Sequence, residues 1–197
     1  MGRSFGHRGP AVLAVCVALL AIPAVQAEAK KAVRTATKAV CADLSLPVPD
    51  GPTRGDFVAG LVSTGKRCPR KLICGYGGLP LGARVRDVNA KLRVTHPAVG
   101  DLTVLLVDPT GGLSTLTAGG VGGADFGAGP TGCTGAFTTF DDSGDVRPLQ
   151  PLARHNGSFG SGDWRFYFDD TVAGNAGVVE AIGIRLTYRY VVRRKRS

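Results

Sequence analysis

The chain lacks the sequence pattern of a helical protein. After residue 27, no segment has apolar residues at the i, i+3, i+4 and i+7 spacing of an amphipathic helix, and no internal repeat is present. Histidine is scarce, with three among 197 residues, and no Gly-x-Ser-x-Gly sequence follows residue 27. That motif marks the nucleophile of many hydrolases. These absences argue against a helical bundle, a repeat protein and an α/β-hydrolase.

The N-terminus has the features of a secretory signal. Two arginines precede an apolar stretch at 11–25, which is short for a membrane-spanning helix and contains Pro23. Small residues at Val25 and Ala27 suit cleavage after Ala27. We therefore expect residues 1–27 to be removed, with no transmembrane anchor, and the protein to be secreted and extracellular. An uncleaved anchor is the alternative that Pro23 and the small residues disfavour.

Four cysteines remain after the expected cleavage, namely Cys41, Cys68, Cys74 and Cys133. Export permits disulfides, whereas a structural zinc site, the rival interpretation, has closely spaced ligand pairs that these cysteines lack. We therefore expect disulfides, in any of three pairings. In one pairing Cys68 and Cys74 close a small loop, which leaves Cys41 to tie the N-terminal segment to the loop that contains Cys133.

The positive charge is concentrated at the two ends of the chain. The formal net charge is +9, yet residues 39–192 contain 14 basic and 14 acidic residues. Residues 28–43 are predicted to be a flexible basic leader, and residues 193–197 are a basic tail. A neutral body with basic ends is not typical of a nucleic-acid-binding surface. The tails could bind an anionic polymer, or they could simply be solvated and aid solubility.

The central part of the chain alternates apolar and polar residues with a period of two. From residue 84, Val88, Ala90, Leu92 and Val94 fall on one face of a predicted strand. Further strands are predicted at 57–62, 101–108, 113–118, 163–170 and 181–190. The segment 119–135, with its many glycines, is predicted to be a loop. Short strands joined by glycine-rich turns indicate a β-sandwich or barrel.

Four stretches together resemble the P domain (Homo B domain) of proprotein convertases and of bacterial secreted subtilisin-like proteases. They are "VRDVNAKLRVTHPAVGDLTVLLVDPTG" (85–111), "FTTFDDSG" (137–144), "PLARHNGSFGSGDWRFYFDDTVAGNAG" (151–177) and "VVEAIGIRLTY" (178–188). The resemblance implies an all-β, jelly-roll-like sandwich of about eight strands over residues 44–192, with a disulfide-stapled N-terminal extension. It also implies a role in stabilising and regulating a neighbouring protease.

The same resemblance implies a calcium site, because some P domains bind calcium. Asp101, Asp142 and Asp170 lie in the matching motifs, and Asn175 stands where the family often has aspartate. Calcium takes six to eight oxygen ligands, which carboxylates and amides can supply. The alternative is that these aspartates only accept hydrogen bonds from backbone N–H groups in turns.

A catalytic site is the less favoured interpretation. Adjacent aspartates on a strand point to opposite faces, so they do not converge on one substrate bond. Ser158, His96 and Asp101 supply the residue types of a catalytic triad, but Ser158 does not lie in the Gly-x-Ser-x-Gly motif of a nucleophile elbow. We expect His96 to be a structural residue at the core edge with a hydrogen-bonded ring, and Trp164 to be structural.

The sequence therefore predicts a secreted, non-catalytic module, supported by calcium, that binds or stabilises a partner such as a secreted protease or a cell-surface protein. No nucleic-acid partner is expected. The alternatives are a hydrolase or peptidase-associated protein with its own catalytic site, and a protein that binds anionic surfaces through its basic tails.

Overall fold

The computed structural model describes residues 32–51, 57–62, 79–80, 82–119, 123–130 and 132–192. Within these residues there are eight strands, three short 3-10 turns and no α-helix. The strands are β1 (Ala32–Val48), β2 (Phe57–Val62), β3 (Arg84–Thr95), β4 (Leu102–Val107), β5 (Leu113–Ala118), β6 (Thr138–Phe140), β7 (Asp163–Asp170) and β8 (Gly177–Val192). The part of the chain that is described accordingly offers no helix that could cross a bilayer.

The strands form two antiparallel sheets with the orders β1-β8-β3-β6 and β2-β7-β4-β5. The pairs β1–β8, β2–β7, β3–β6 and β4–β5 are nested within one another. This is the arrangement of one long hairpin rolled into two layers, which is a jelly roll. The predicted all-β sandwich of about eight strands is confirmed.

The core lies between the two sheets and follows from the period-two pattern. Ala90 and Leu92 of β3, Ile182 of β8, and Phe166 and Phe168 of β7 are all fully buried. Burial of a large apolar side chain contributes roughly 1.5–3 kcal/mol relative to leaving it exposed. The positions between them in β3 and β7 carry residues such as Lys91 and Tyr167, which are only partly buried, so the apolar faces of the two sheets pack against each other.

The N-terminal segment differs from the sequence prediction. The flexible leader predicted for residues 28–43 is wrong for residues 32–43, because β1 begins at Ala32 and pairs with β8 as far as Val48. One face of β1 packs against the core through Ala36, Val40, Leu44 and Leu46. An edge strand buries only part of one face, so small apolar residues among Lys and Thr are sufficient. Residues 1–31 and the tail 193–197 lie outside the described residues.

A disulfide fastens the glycine-rich segment to the edge of the first sheet. Cys41 of β1 is bonded to Cys133 in the 3-10 turn Gly132–Thr134, with a Cα–Cα distance of 6.0 Å. The backbone N–H of Cys133 also donates to the carboxylate of Asp43. The segment around residue 133 is therefore held on β1 by both a covalent bond and a hydrogen bond. Cys68 and Cys74, and any bridge between them, lie outside the described residues.

Candidate functional site

A buried histidine–aspartate pair lies where β4 ends. His155 Nδ1 is 2.9 Å from Asp108 Oδ2, and the two side chains are 0% and 2% exposed. The other carboxylate oxygen, Oδ1, accepts hydrogen bonds from the N–H and hydroxyl of Thr110 and from the N–H of Gly112. Asp108 therefore closes the turn between β4 and β5 and at the same time fixes the imidazole ring.

The protonation of this pair follows from its contacts. Burial raises the pKa of Asp108, but the hydrogen bonds from Thr110, His155 and Gly112 together outweigh burial and hold that pKa below its usual value. The carboxylate is charged at neutral pH and accepts a hydrogen bond from the Nδ1–H of His155. His155 Nε2 is buried and has no hydrogen-bond partner among the described residues, and the ring packs edge-on against Trp164, with the ring centres 5.5 Å apart.

Trp164 occupies the interior of the sandwich at this end. Its side chain is 2% exposed, and its Nε1–H donates to the backbone oxygen of Gly160 at 3.3 Å. The indole thus packs β7 against the 3-10 turn Leu152–His155 and satisfies its one polar atom within the loop that precedes β7.

A second buried pair lies at the opposite end of the second sheet. His96 Nε2 is 3.2 Å from Asp170 Oδ2, and both side chains are 0% exposed. Because the backbone N–H of Ala98 donates to His96 Nδ1, that nitrogen carries no proton, and Nε2–H donates to the carboxylate. Asp170 Oδ1 accepts the N–H of Val172. A neutral His96 therefore joins the end of β3 to the end of β7.

The triad considered from the sequence does not form. The carbonyl of Ser158 accepts the N–H of Val85 near the start of β3, whereas His96 directly follows the end of β3. Eleven residues of extended chain at ~3.3 Å each place these positions roughly 35 Å apart. His96 therefore cannot activate Ser158, and the partner of His96 is Asp170 and not Asp101.

Two of the four predicted calcium ligands lie together in the structure. Asn175 Nδ2 donates to Asp101 Oδ2 at 3.2 Å. Asp50, which the predicted set did not include, accepts the backbone N–H groups of Gly174 and Asn175 through Oδ1. In the sequence, the Asp50-Gly51 pair indicates a turn at this position. The structure agrees, because Gly51 has a φ of 83°, which favours glycine.

The aspartates of "FTTFDDSG" have structural partners elsewhere. Asp142 accepts the N–H groups of Leu152 and Ala153, each at 2.7 Å, and so caps the 3-10 turn that carries His155. Asp141 accepts hydrogen bonds from the N–H and hydroxyl of Ser143. The pKa of Asp141 lies below its usual value, because Ser143 and Asn89 donate hydrogen bonds to the carboxylate and Arg185 brings a positive charge near it.

The other two predicted ligands have hydrogen-bond partners of their own, since Asp142 caps the 3-10 turn Leu152–His155 and Asp170 is hydrogen-bonded to His96. Among the described residues, one group of three metal-ligating side chains (His, Cys, Asp or Glu) has its ligand atoms within 4.8 Å of one another, namely Cys41, Asp43 and Cys133. Two of these three are joined in the disulfide. Calcium binding stays a prediction, and of its four candidate ligands the structure brings Asp101 and Asn175 into contact.

A groove of about 570 Å³ opens beside the Asp108 turn, at the end of the sandwich that holds His155. Its lining is partly apolar and partly charged, and comprises Val107, Asp108, Pro109, Thr110, Gly111, Phe159, Ser161, Gly162, Asp163 and Arg165. Phe159 is 41% exposed, and the guanidinium carbon of Arg84 lies 3.7 Å from the centre of its ring. An exposed aromatic ring held by an arginine is a suitable contact for another protein.

A Cβ at Gly162 would lie 2.5 Å from Cβ of Pro109, and the φ of Gly162 is 137°. The loop before β7 and the β4–β5 turn can therefore approach this closely only with glycine at 162. The shape of the groove depends on this contact.

Comparison with known proteins places the chain in a family. The sequence profile of the proprotein convertase P-domain matches residues 85–186. A comparison with curated proteins found no match. Solved structures with similarity include the serine protease of Aeromonas sobria, at 12% identity, and that protease in complex with a chaperone, at 11%. Both have a TM-score of 0.44 and cover 79% of this chain, while the chain spans 27% of either structure. Because the profile matches just over half of the 197 residues, the chain belongs to the proprotein convertase P-domain family.

Proposed function

We propose that the chain is a secreted accessory module that binds and stabilises a serine protease and has no catalytic site of its own. The observation that carries this proposal is the burial of both histidines. His96 and His155 are the only histidines after residue 27, and each is 0% exposed and bonded to an aspartate. A general base must reach the proton that it removes from the substrate or nucleophile. Neither imidazole can do so without opening the sandwich.

The groove beside the Asp108 turn is the proposed contact surface for the protease. It combines an exposed aromatic ring at Phe159 with a half-exposed guanidinium at Arg165. Aromatic residues and arginine are the residue types that most often carry binding energy at protein interfaces. The turn beneath the groove is held by the hydrogen bonds of Asp108 to Thr110, Gly112 and His155, which lowers the entropy that ordering this turn would cost on binding.

An affinity-tagged chain, incubated with the secretome of the producing organism, tests this proposal. Captured proteins are treated with a covalent serine-hydrolase probe, and we expect a captured protein to be labelled while the chain itself is not. Phe159→Ala combined with Arg165→Gln should lower capture at least about tenfold, since hot-spot residues contribute ~2 kcal/mol or more. Val172→Ala, which changes an exposed apolar residue at the opposite end of the sheet, is the matched control and should capture normally.

Two outcomes would contradict the proposal. Labelling of the purified chain, with ester or peptide hydrolysis that His155→Ala abolishes while the circular dichroism spectrum is kept, would favour an enzyme. Capture of proteins that never include a serine hydrolase would favour a different partner, such as a cell-surface protein.

Calcium support of this module is tested by melting the protein with millimolar calcium or with a chelator. We expect calcium to raise Tm and Asp101→Asn to remove that increase, because the variant takes a charge from the candidate ligands. Asp142→Asn is the control and should keep the calcium response, although it weakens the cap of the 3-10 turn. An unchanged Tm in the wild-type protein would rule out a stabilising calcium site.

A further inference from the structure

Two arginines lie directly opposite each other near one end of the first sheet. Arg84 of β3 and Arg189 of β8 are Cα partners in adjacent antiparallel strands, and both side chains are exposed. Arg86, at the β-bulge that follows, is exposed as well. Like charges at directly opposed positions of a sheet repel each other and destabilise the pairing. Neither Arg84 nor Arg189 forms an ion pair with another described residue, so this repulsion has no carboxylate there to relieve it.

The positive charge around this arginine pair is confined to a small area. Beyond the bulge of β3, Asp87 is exposed and is the Cα partner of Thr187. On the other side of Arg189, its Cα partner in β1 is Thr35. An acidic residue and a neutral residue therefore border the pair. A short anionic segment can contact the arginines alone, whereas a long polyanion would also meet the carboxylate of Asp87.

The arginine pair adjoins the groove that is the proposed contact surface for the protease. The backbone of Arg84 forms an isolated antiparallel bridge with Phe159, whose ring centre lies 3.7 Å from the guanidinium carbon. Arg84 Nη1 donates to the backbone oxygen of Gly157 at 3.1 Å, which fixes the guanidinium over the ring. Phe159 in turn lines the groove. A row of Arg189, Arg84 and Phe159 therefore leads from the first sheet to the groove.

We propose that Arg84 and Arg189 bind a short acidic segment of the partner protease, with an apolar side chain of that segment placed against Phe159. This inference rests on the proposed function, because it names the part of the protease that the surface contacts. A guanidinium stacked on an aromatic ring keeps N–H donors at its edge, and these can hold a carboxylate through two hydrogen bonds. A carboxylate between the two arginines replaces their repulsion by attraction to a common anion.

Fluorescence anisotropy with a labelled peptide, Gly-Glu-Glu-Leu-Glu-Glu-Gly, and with its glutamine analogue tests the proposal. We expect the protein to bind the glutamate peptide, more weakly as salt is added, and not to bind the analogue measurably. R84Q/R189Q should weaken binding at least about threefold, since an exposed ion pair contributes up to roughly fivefold in affinity and two are lost. The matched control R147Q/R185Q removes two exposed arginines elsewhere and should bind as the wild type does.

Arg189→Gln alone separates a binding site from a structural role. This substitution relieves the repulsion with Arg84, so we expect the affinity for the peptide to fall while Tm does not. A lower Tm, or equal peptide binding by R84Q/R189Q and the wild type, would overturn the proposal. Equal weakening by the control R147Q/R185Q would also overturn it. Binding of soluble dextran sulfate without binding of the peptide would overturn it in favour of a polyanion.

The capture experiment with the serine-hydrolase probe distinguishes this inference from the proposed function. We expect R84Q/R189Q to capture less of the labelled protease than the wild type does. If it captures as much, while Phe159→Ala with Arg165→Gln captures less, the acidic segment is wrong and the protease partner stands. If the wild-type chain binds the peptide but captures no serine hydrolase, the proposed function fails and the protease is overturned as the source of the segment.

Discussion

Removal of the Cys41–Cys133 bridge should destabilise the sandwich strongly. The bridge joins residues 92 positions apart in the sequence. In the chain-entropy description, closing a loop of that length lowers the entropy of the unfolded chain enough to contribute about 4.6 kcal/mol at 25 °C. A domain of this kind has a total stability of roughly 5–15 kcal/mol, so the loss is a large fraction of the whole.

The double variant Cys41→Ser with Cys133→Ser is compared with the wild type by guanidinium unfolding. The chain has one tryptophan, and Trp164 is 2% exposed, so its fluorescence reports the opening of the core. We expect the free energy of unfolding to fall by about 4.6 kcal/mol, and Tm by roughly 9–18 °C at ~2–4 °C per kcal/mol for a domain of this size.

The matched control is Cys68→Ser with Cys74→Ser. If these cysteines pair, the loop that they close is short, and the same relation gives a loss of only about 2 kcal/mol. A loss below about 1 kcal/mol in the Cys41–Cys133 variant would refute the reasoning. It would mean that the bridge does not constrain the unfolded chain, or that β1 does not hold the segment around residue 133 in the folded protein.

Three further substitutions test the buried contacts. Asp108→Asn should cost about 1–3 kcal/mol at neutral pH, because it removes a charged acceptor from the His155 Nδ1–H. Since the pKa of Asp108 is lowered in the folded protein, its charge stabilises the fold above its ordinary value of 3.8, and this contribution is lost as pH falls through the folded pKa. The variant should therefore lose less stability between neutral pH and strong acid than the wild type does, and equal acid slopes would contradict this. Gly162→Ala should cost at least about 1 kcal/mol, because its Cβ would contact Pro109 and its φ is positive; thermal melting measures the loss, and an unchanged Tm would mean that the loop has room to move. Leu92→Ala empties a fully buried position and should cost about 2–5 kcal/mol by denaturant unfolding, whereas a loss below about 1 kcal/mol would place Leu92 outside the core.

The strands that could be predicted are those whose period-two pattern the core enforces. In β3 and β8 nearly every second residue is a large aliphatic one, so alternation alone identifies the strand and its buried face. The sequence did not predict β1, because an edge strand is covered on only part of one face. Its inward residues include Ala36 and Lys38 as well as valine and leucine, so the apolar alternation is weak. β6 has three residues, Thr138–Phe140, which is too short for any period to be visible.

The candidate site was predictable only in part, because its contacts join residues that are distant in sequence. His96 and Asp170 are 74 positions apart, and His155 and Asp108 are 47 apart. Nothing near either histidine in the sequence indicates which aspartate it will contact. The prediction that His96 has a structural role needed only the alternation of β3, whereas the identity of its partner needed the nested pairing of the strands.

The two buried pairs also explain why acidic residues at strand ends in this fold need not be catalytic. His96 follows β3 of the first sheet and bonds to Asp170 at the end of β7 in the second. His155 lies in a 3-10 turn that packs against β3, and it bonds to Asp108 at the end of β4. Each pair therefore ties one sheet to the other, at opposite ends of the sandwich.

Loss of one partner would leave a buried polar group unpaired, at a cost of about 1–3 kcal/mol or more. A site that did chemistry with either pair would have to expose it and give up that stability in every turnover. The groove beside Phe159 can bind another molecule while the sandwich stays closed.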